Sequence, residues 1–213
     1  MSSTSHILKP GYSAVPPGMI ANVVTCLEMT RKPHPKPARP TGQPMSLERI
    51  EKPDPAAYRA LFRSVGQDWL WYSRLVMPDG DLRDILESPD VEVYVLSSIG
   101  QEIGLLELDF RQEGQCELAF FGLIKDAIGQ GAGRFLMDQA LLRAWARPIA
   151  RLWVHTCTFD HPSAIDFYRR SGFAPYAFEV EVSPDPRLSG HLPRSAAPHV
   201  PLADFAEAGR GLS

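Results

Sequence analysis

Gly129, Gly131 and Gly133 recur at every second position of FFGLIKDAIGQGAGRFLMDQAL (120–141), between an apolar strand-like run and an apolar helix-like run. Glycine costs backbone entropy, so three of them just before a helix imply that something must approach the backbone closely. A helix start carries unpaired N–H groups and the positive end of the dipole. With side chains absent and positive φ accessible, successive N–H groups can face one anion, and the stretch reads as a phosphate cradle. A glycine-rich turn serving packing alone is the competing reading. Two familiar phosphate signatures do not fit. A P-loop needs Gly-Lys-Ser/Thr, whereas Gly133 is followed by Arg134-Phe135; in G-x-G-x-x-G the third glycine falls on Arg134 or Leu136. His155, Cys157 and His161 suggest a metal site, but no fourth ligand stands at zinc spacing, so no metal is expected and the first two read as buried strand residues.

The elements around the glycines follow from pattern. VEVYVLSS (91–98), IGLLELDFR (103–111) and QCELAFFGLI (115–124) are strands joined by short turns, hence an antiparallel meander. A helix from the glycines to about Ala146 stops before Arg147-Pro148, and RLWVHTCTF (151–159) makes a parallel crossover strand. HPSAIDFYRRSG (161–172) is a helix ending in glycine, and FAPYAFEVEV (173–182) a last strand. Upstream, MIANVVTCLEMT (19–30) and MSLERIEKP (45–53) read as strands. Asp54-Pro55 opens a helix to about residue 65, DWLWYSRLVM (68–77) reads as a short helix, and Asp81 starts another. The expected organisation is an N-terminal arm (1–18), one mixed α/β domain (19–182) with a connector over 31–44 holding five prolines, and an irregular tail (183–213).

The chain has 213 residues with formal net charge −3, which suits one domain and carries no basic surplus for a nucleic-acid partner. Three cysteines are few and odd in number, which argues against a disulfide framework and for a reducing, cytoplasmic setting. No apolar run approaches membrane-spanning length, so no membrane partner is expected.

Three segments, in order and spacing, resemble the GCN5-related N-acetyltransferase (GNAT) family. The glycine loop resembles its Arg/Gln-x-x-Gly-x-Gly/Ala pattern, with Gly131 and Gly133 in the glycine places and Ile128 where Arg or Gln is usual. CELAFFGL is similar to the family's fourth strand, and HPSAIDFYRRSGF to N-x-x-A-x-x-F-Y-x-x-x-G-F, with His161 in place of Asn. The resemblance is strong over 91–182, weaker over 46–90 and absent at both ends.

It implies an α+β fold with helices on both faces of a mostly antiparallel sheet, parted at a splayed parallel pair, and direct acetyl transfer from acetyl-CoA to a primary amine. The alternative is a non-catalytic acyl-CoA-binding sensor or interaction module, with a dehydrogenase third. By resemblance the cradle is Ile128, Gly129, Gln130, Gly131, Ala132, Gly133 and Arg134, with Gln130 or Arg134 compensating for Ile128. Backbone N–H groups near Phe121, Gly122 and Leu123 face the acyl carbonyl, and Gly122 fits a bulge or a close approach. His161, Ala164 and Phe167 line the pantetheine, with His161 alternatively capping its helix. Glu117 is the candidate base, its pKa raised by whichever of Phe110 or Asp109 lies opposite, and Tyr168 the candidate acid for the leaving thiolate. Trp69 and its neighbours in DWLWYSRL wall the acceptor side, and Asp68 would suit a cationic amine. The acceptor is expected to be a small molecule or other amino group. The strand that the family pairs with its last one is not evident after Val182, where the tail either crosses the domain or contacts a second copy in a homodimer.

Overall fold

A computed structural model describes residues 7–34 and 42–204; the outer parts of the expected arm (1–6), connector (35–41) and tail (205–213) lie outside the described residues. The described residues form seven strands, β1 (Met19–Met29), β2 (Met45–Ile50), β3 (Val91–Ser98), β4 (Gln101–Asp109), β5 (Gln115–Leu123), β6 (Arg151–Cys157) and β7 (Ala174–Pro184). The helices are α1 (Pro55–Gly66), α2 (Ser73–Val76), α3 (Asp79–Leu86), α4 (Ala132–Ala144) and α5 (Ala164–Ser171). All strands form one sheet in the order β2-β3-β4-β5-β6-β1-β7. Its β5–β6 pair is parallel and its other neighbours run antiparallel.

Local chemistry accounts for most boundaries. The Asp54 carboxylate accepts the Ala56 and Ala57 N–H groups at 3.0 and 2.9 Å, and Pro55 occupies the first turn, where no N–H is missed. Ile99 and Gly100 both take positive φ (49° and 73°) to turn β3 into β4, and Gly172 (φ 110°) ends α5.

Two expectations need correction. Residues 68–77 are not one helix. A 3-10 turn (Gln67–Trp69) ends at left-handed Leu70 (φ 58°), and the Trp71 N–H returns to Gly66 O at 3.0 Å before α2 begins. The break sends Trp69 toward His161 and Trp71 toward Phe62 and Phe120. The missing partner of β7 is the second correction. It comes from the other end of the sequence, because β1 lies between β6 and β7, with Val24 opposite both Cys157 and Glu179. The tail could not supply it: Pro186, Pro193, Pro198 and Pro201 would interrupt any ladder. By contrast β1 is mostly apolar and holds no proline, so both of its edges can pair.

Helices α4 and α5 cover one face of the sheet through a core that includes Leu106, Leu118, Leu136, Met137 and Val154. Helices α1 and α3 cover the other through Phe62, Val65, Leu82, Val93 and Leu105. The tail crosses the domain, burying Leu192, Ala196, Ala197 and Val200 against Ile20 and Leu70. Arg187, 3% exposed, holds it together: its guanidinium pairs with Asp185 and donates to the carbonyls of Val200 and Pro201 at 2.8 and 2.9 Å.

Candidate active site

β5 and β6 pair only at Gln115–Arg151, Cys116–Leu152 and Glu117–Trp153, then part, although β5 runs to Leu123 and β6 to Cys157. Between β4 and β5 the register jumps from Glu107–Phe120 to Leu108–Leu118, so Ala119 is the extra residue and the bulge sits there, not at Gly122. Gly122 is instead a close approach, since a Cβ there would stand 2.5 Å from Val65 Cγ1 and 3.0 Å from Trp71 Cη2. The Ile124 N–H bonds Ile103 O at 2.9 Å. Alternation along the ladder then commits the Gly122 N–H to β4 and turns those of Phe121 and Leu123 into the gap. Two of the three expected carbonyl donors therefore face it.

The gap opens into a cavity of about 570 Å³ that reaches both faces of the sheet. On the α4 side lie Ile128, Gly133, Ala164, Phe167 and Tyr168. Gly129 and Gly131 take φ of 86° and 87°, and a Cβ on either would meet nothing within 4 Å. No side chain caps α4, whose first bond runs from Phe135 N to Gly131 O, so the N–H groups of Ala132, Gly133 and Arg134 lack intrahelical partners. A diphosphate fits this open turn. The side chains offered in place of Ile128 are engaged elsewhere: Gln130 donates to Asp126 O at 2.6 Å, and Arg134 Nε pairs with Asp138 at 3.0 Å. An anion at this turn would therefore meet backbone N–H groups rather than side chains.

Tyr168 is buried among Phe121, Phe167 and Phe173. Burial pushes its phenol well above the usual range, with Asp160 adding to the shift, so it keeps its proton at neutral pH. His161 lines the cavity, its Nδ1 accepts the Ser163 N–H at 3.1 Å just ahead of α5, and its ring packs on Trp69.

On the opposite face stands Glu117, its side chain 24% exposed. Asp109 lies directly opposite it, and the register question is settled in favour of the like charge. Burial, then Asp109 and Glu107, raise the Glu117 carboxyl to about 7 against the pull of Arg74 and Arg111. His155 Nδ1 approaches Glu117 Oε1 at 3.7 Å; its side chain is 53% exposed, which corrects the expectation of a buried strand residue. Burial raises the Cys116 thiol far above its ordinary range and Cys157 to about 11, so neither is a ready thiolate. Trp69, Leu70, Trp71 and Tyr72 wall this side; Asp68 is not among the lining residues.

Sequence reasoning did not single out Arg74, Glu107 and Asp160. Glu107, wholly buried, accepts from Tyr58 Oη and Arg74 Nη2, both at 2.5 Å. Asp160 accepts from Thr156 Oγ1 at 2.7 Å and Trp71 Nε1 at 3.4 Å, joining the wall to the end of β6. A charged residue within an apolar strand, as in LLELD, was the one available signal for Glu107.

A mostly antiparallel sheet parted at its parallel pair, beside a helix start without side-chain caps, is a GNAT-like fold. Residues 56–173, more than half of the chain, match the family model "Acetyltransferase (GNAT) family", and the chain belongs to that family. Among solved structures it is similar to a GCN5-related N-acetyltransferase from Sphaerobacter thermophilus (TM-score 0.57, 13% identity, 76% of this chain and 51% of that one). A GCN5-related N-acetyltransferase from Kribbella flavida gives TM-score 0.54 and 18% identity, over 81% of this chain and 63% of that one. The ribosomal-protein-S18-alanine N-acetyltransferase from Escherichia coli gives 0.50 and 15%, over 66% and 94%. The chain therefore spans about half to two thirds of the first two relatives' length. No curated protein matches it in sequence.

Proposed function

We propose that the protein is an acetyl-CoA-dependent N-acetyltransferase that moves the acetyl group directly from the thioester to a primary amine. The observation that carries this reading is the position of Glu117. A carboxyl brought to about 7 sits where the parted strands rejoin, and the bare start of α4 lies at the open end of the same gap. Bound acetyl-CoA supplies the activated acyl group. The N–H groups of Ala132, Gly133 and Arg134 would hold its diphosphate, those of Phe121 and Leu123 its carbonyl oxygen, and Ala164, Phe167 and His161 its pantetheine arm.

Glu117 takes a proton from the acceptor's ammonium, a task suited to a base whose pKa lies near working pH. Tyr168 gives its proton to the departing thiolate. Glu117, Asp109, Asp160 and Glu181 line the cavity with only two guanidiniums, Arg74 and Arg111, each already paired with a carboxylate. That balance favours a cationic amine. The covering tail favours a small acceptor over an extended polypeptide.

Release of CoA thiol from acetyl-CoA, followed across a panel of amines alongside calorimetric binding of CoA, tests the reading. Release that depends on an amine and is lost in Glu117→Gln supports it. Tight CoA binding without release on any amine would leave a non-catalytic sensor in its place.

A further inference from the structure

Glu107 and Arg74 are two charges that the proposed chemistry does not use, and both are costly to bury. Glu107 lies in β4 with no exposed surface; Arg74, 8% exposed, comes from α2, on the acceptor-side wall. The two meet at 2.5 Å, and Tyr58 from α1 closes the other carboxylate oxygen. Arg74 Cζ also stands 5.1 Å from the ring centre of Phe120, the residue paired with Glu107 across the sheet. Arg59 fixes the same wall from outside, donating to Arg74 O and Met77 O at 3.0 and 2.6 Å.

The register makes this pair a neighbour of the base. Asp109 is opposite Glu117 and Glu107 opposite Phe120, so Glu107 and Glu117 are diagonal on one sheet face, roughly 7 Å apart. The charged and titratable groups around Glu117 come from four elements and one turn. They are Glu107 and Asp109 of β4, Arg111 of the following turn, His155 of β6, Arg74 of α2, and Tyr58 of α1 through Glu107. Arg111 is locked to Asp109 by bonds to both carboxylate oxygens, from the turn that joins β4 to β5. Arg74 alone arrives from the wall that covers the acceptor.

We propose that Arg74 and Glu107 are positioning residues that tie the seating of the acceptor-side wall to the charge around Glu117, so that the base is set for proton removal only when the wall is in place. With Arg74 seated, the Glu107 charge is neutralised and Glu117 can ionise. Without that guanidinium, Glu107 and Glu117 are two carboxyls on one sheet face that cannot readily both ionise, so the pair keeps a proton to higher pH. This deepens the transferase reading and rests on it for the role of Glu117.

The test is a direct NMR titration of the Glu117 carboxyl in Arg74→Met, Glu107→Gln and the double variant, read without turnover. Removing the guanidinium should raise the midpoint by about one pH unit, removing the carboxylate should lower it by a similar amount, and the double variant should return near the parent. A purely structural pair would give shifts of one sign or none, and that result overturns the proposal. If either single variant fails to fold, the double variant decides: it carries neither buried charge, and a midpoint more than one pH unit from the parent would count against the idea. The acid limb of amine-dependent thiol release is a separate readout. Opposed NMR shifts without turnover would leave the charge coupling standing and remove the transferase reading.

Discussion

Glu117→Gln should make the protein more stable above neutrality while stopping its chemistry. The folded carboxyl sits at about 7 against an ordinary 4.5, so between those values the folded state holds a proton that the unfolded chain releases. Stability therefore falls as pH rises from 4.5 through about 7, and above that the full penalty is present. The gap corresponds to about 3 kcal/mol at 1.36 kcal/mol per pH unit. Gln has nearly the same shape and no charge to desolvate. Urea denaturation of both proteins across pH 4.5 to 8 is the assay. The two curves should nearly coincide at the acid end, and the variant should lead by about 3 kcal/mol at pH 8. Parallel pH profiles, or a less stable variant at pH 8, would refute both the raised carboxyl and its cause.

Tyr168→Phe should slow acetyl transfer with little change in CoA affinity, seen as reduced turnover at an unaltered calorimetric Kd, because the ring packing is kept and one proton is lost. Gly122→Val should cost about 1–3 kcal/mol by thermal unfolding, since its Cβ would meet Val65 and Trp71, and should weaken turnover by displacing the wall. Arg187→Met leaves the Asp185 carboxylate buried and unpaired. Burial pushes that carboxyl up, but bonds from Arg187 outweigh it and hold it below its usual range. The variant should lose about 3–5 kcal/mol and open residues 188–200 to limited proteolysis.

What could be read from the sequence was what depends on neighbours in the chain. Strand β3 matches its pattern end to end, the Asp54-Pro55 start of α1 is a local hydrogen-bonding decision, and the small residues before α4 mark a helix start without a side-chain cap. The residue opposite Glu117 depended on a bulge at Ala119, which no local pattern marks. The 68–77 segment looks uniformly apolar, yet its course is set by where two tryptophans find partners, Phe62 and Phe120 for one and His161 and His199 for the other. Arg74 and Glu107 stand 33 positions apart, and nothing in either segment says that they meet.

The place of β1 bears on how the molecule assembles. As the earliest-made of the seven strands, it waits for partners more than 120 residues downstream, with Val24 joining Cys157 and Glu179. Until they are synthesised, an eleven-residue, mostly apolar strand has two open hydrogen-bonding edges, a hazard for aggregation. Such distant pairing slows folding, because chain entropy is lost before contacts repay it. Chaperone dependence and slow refolding should then concentrate in this corner, while the β3–β5 meander, closed by short turns, assembles early.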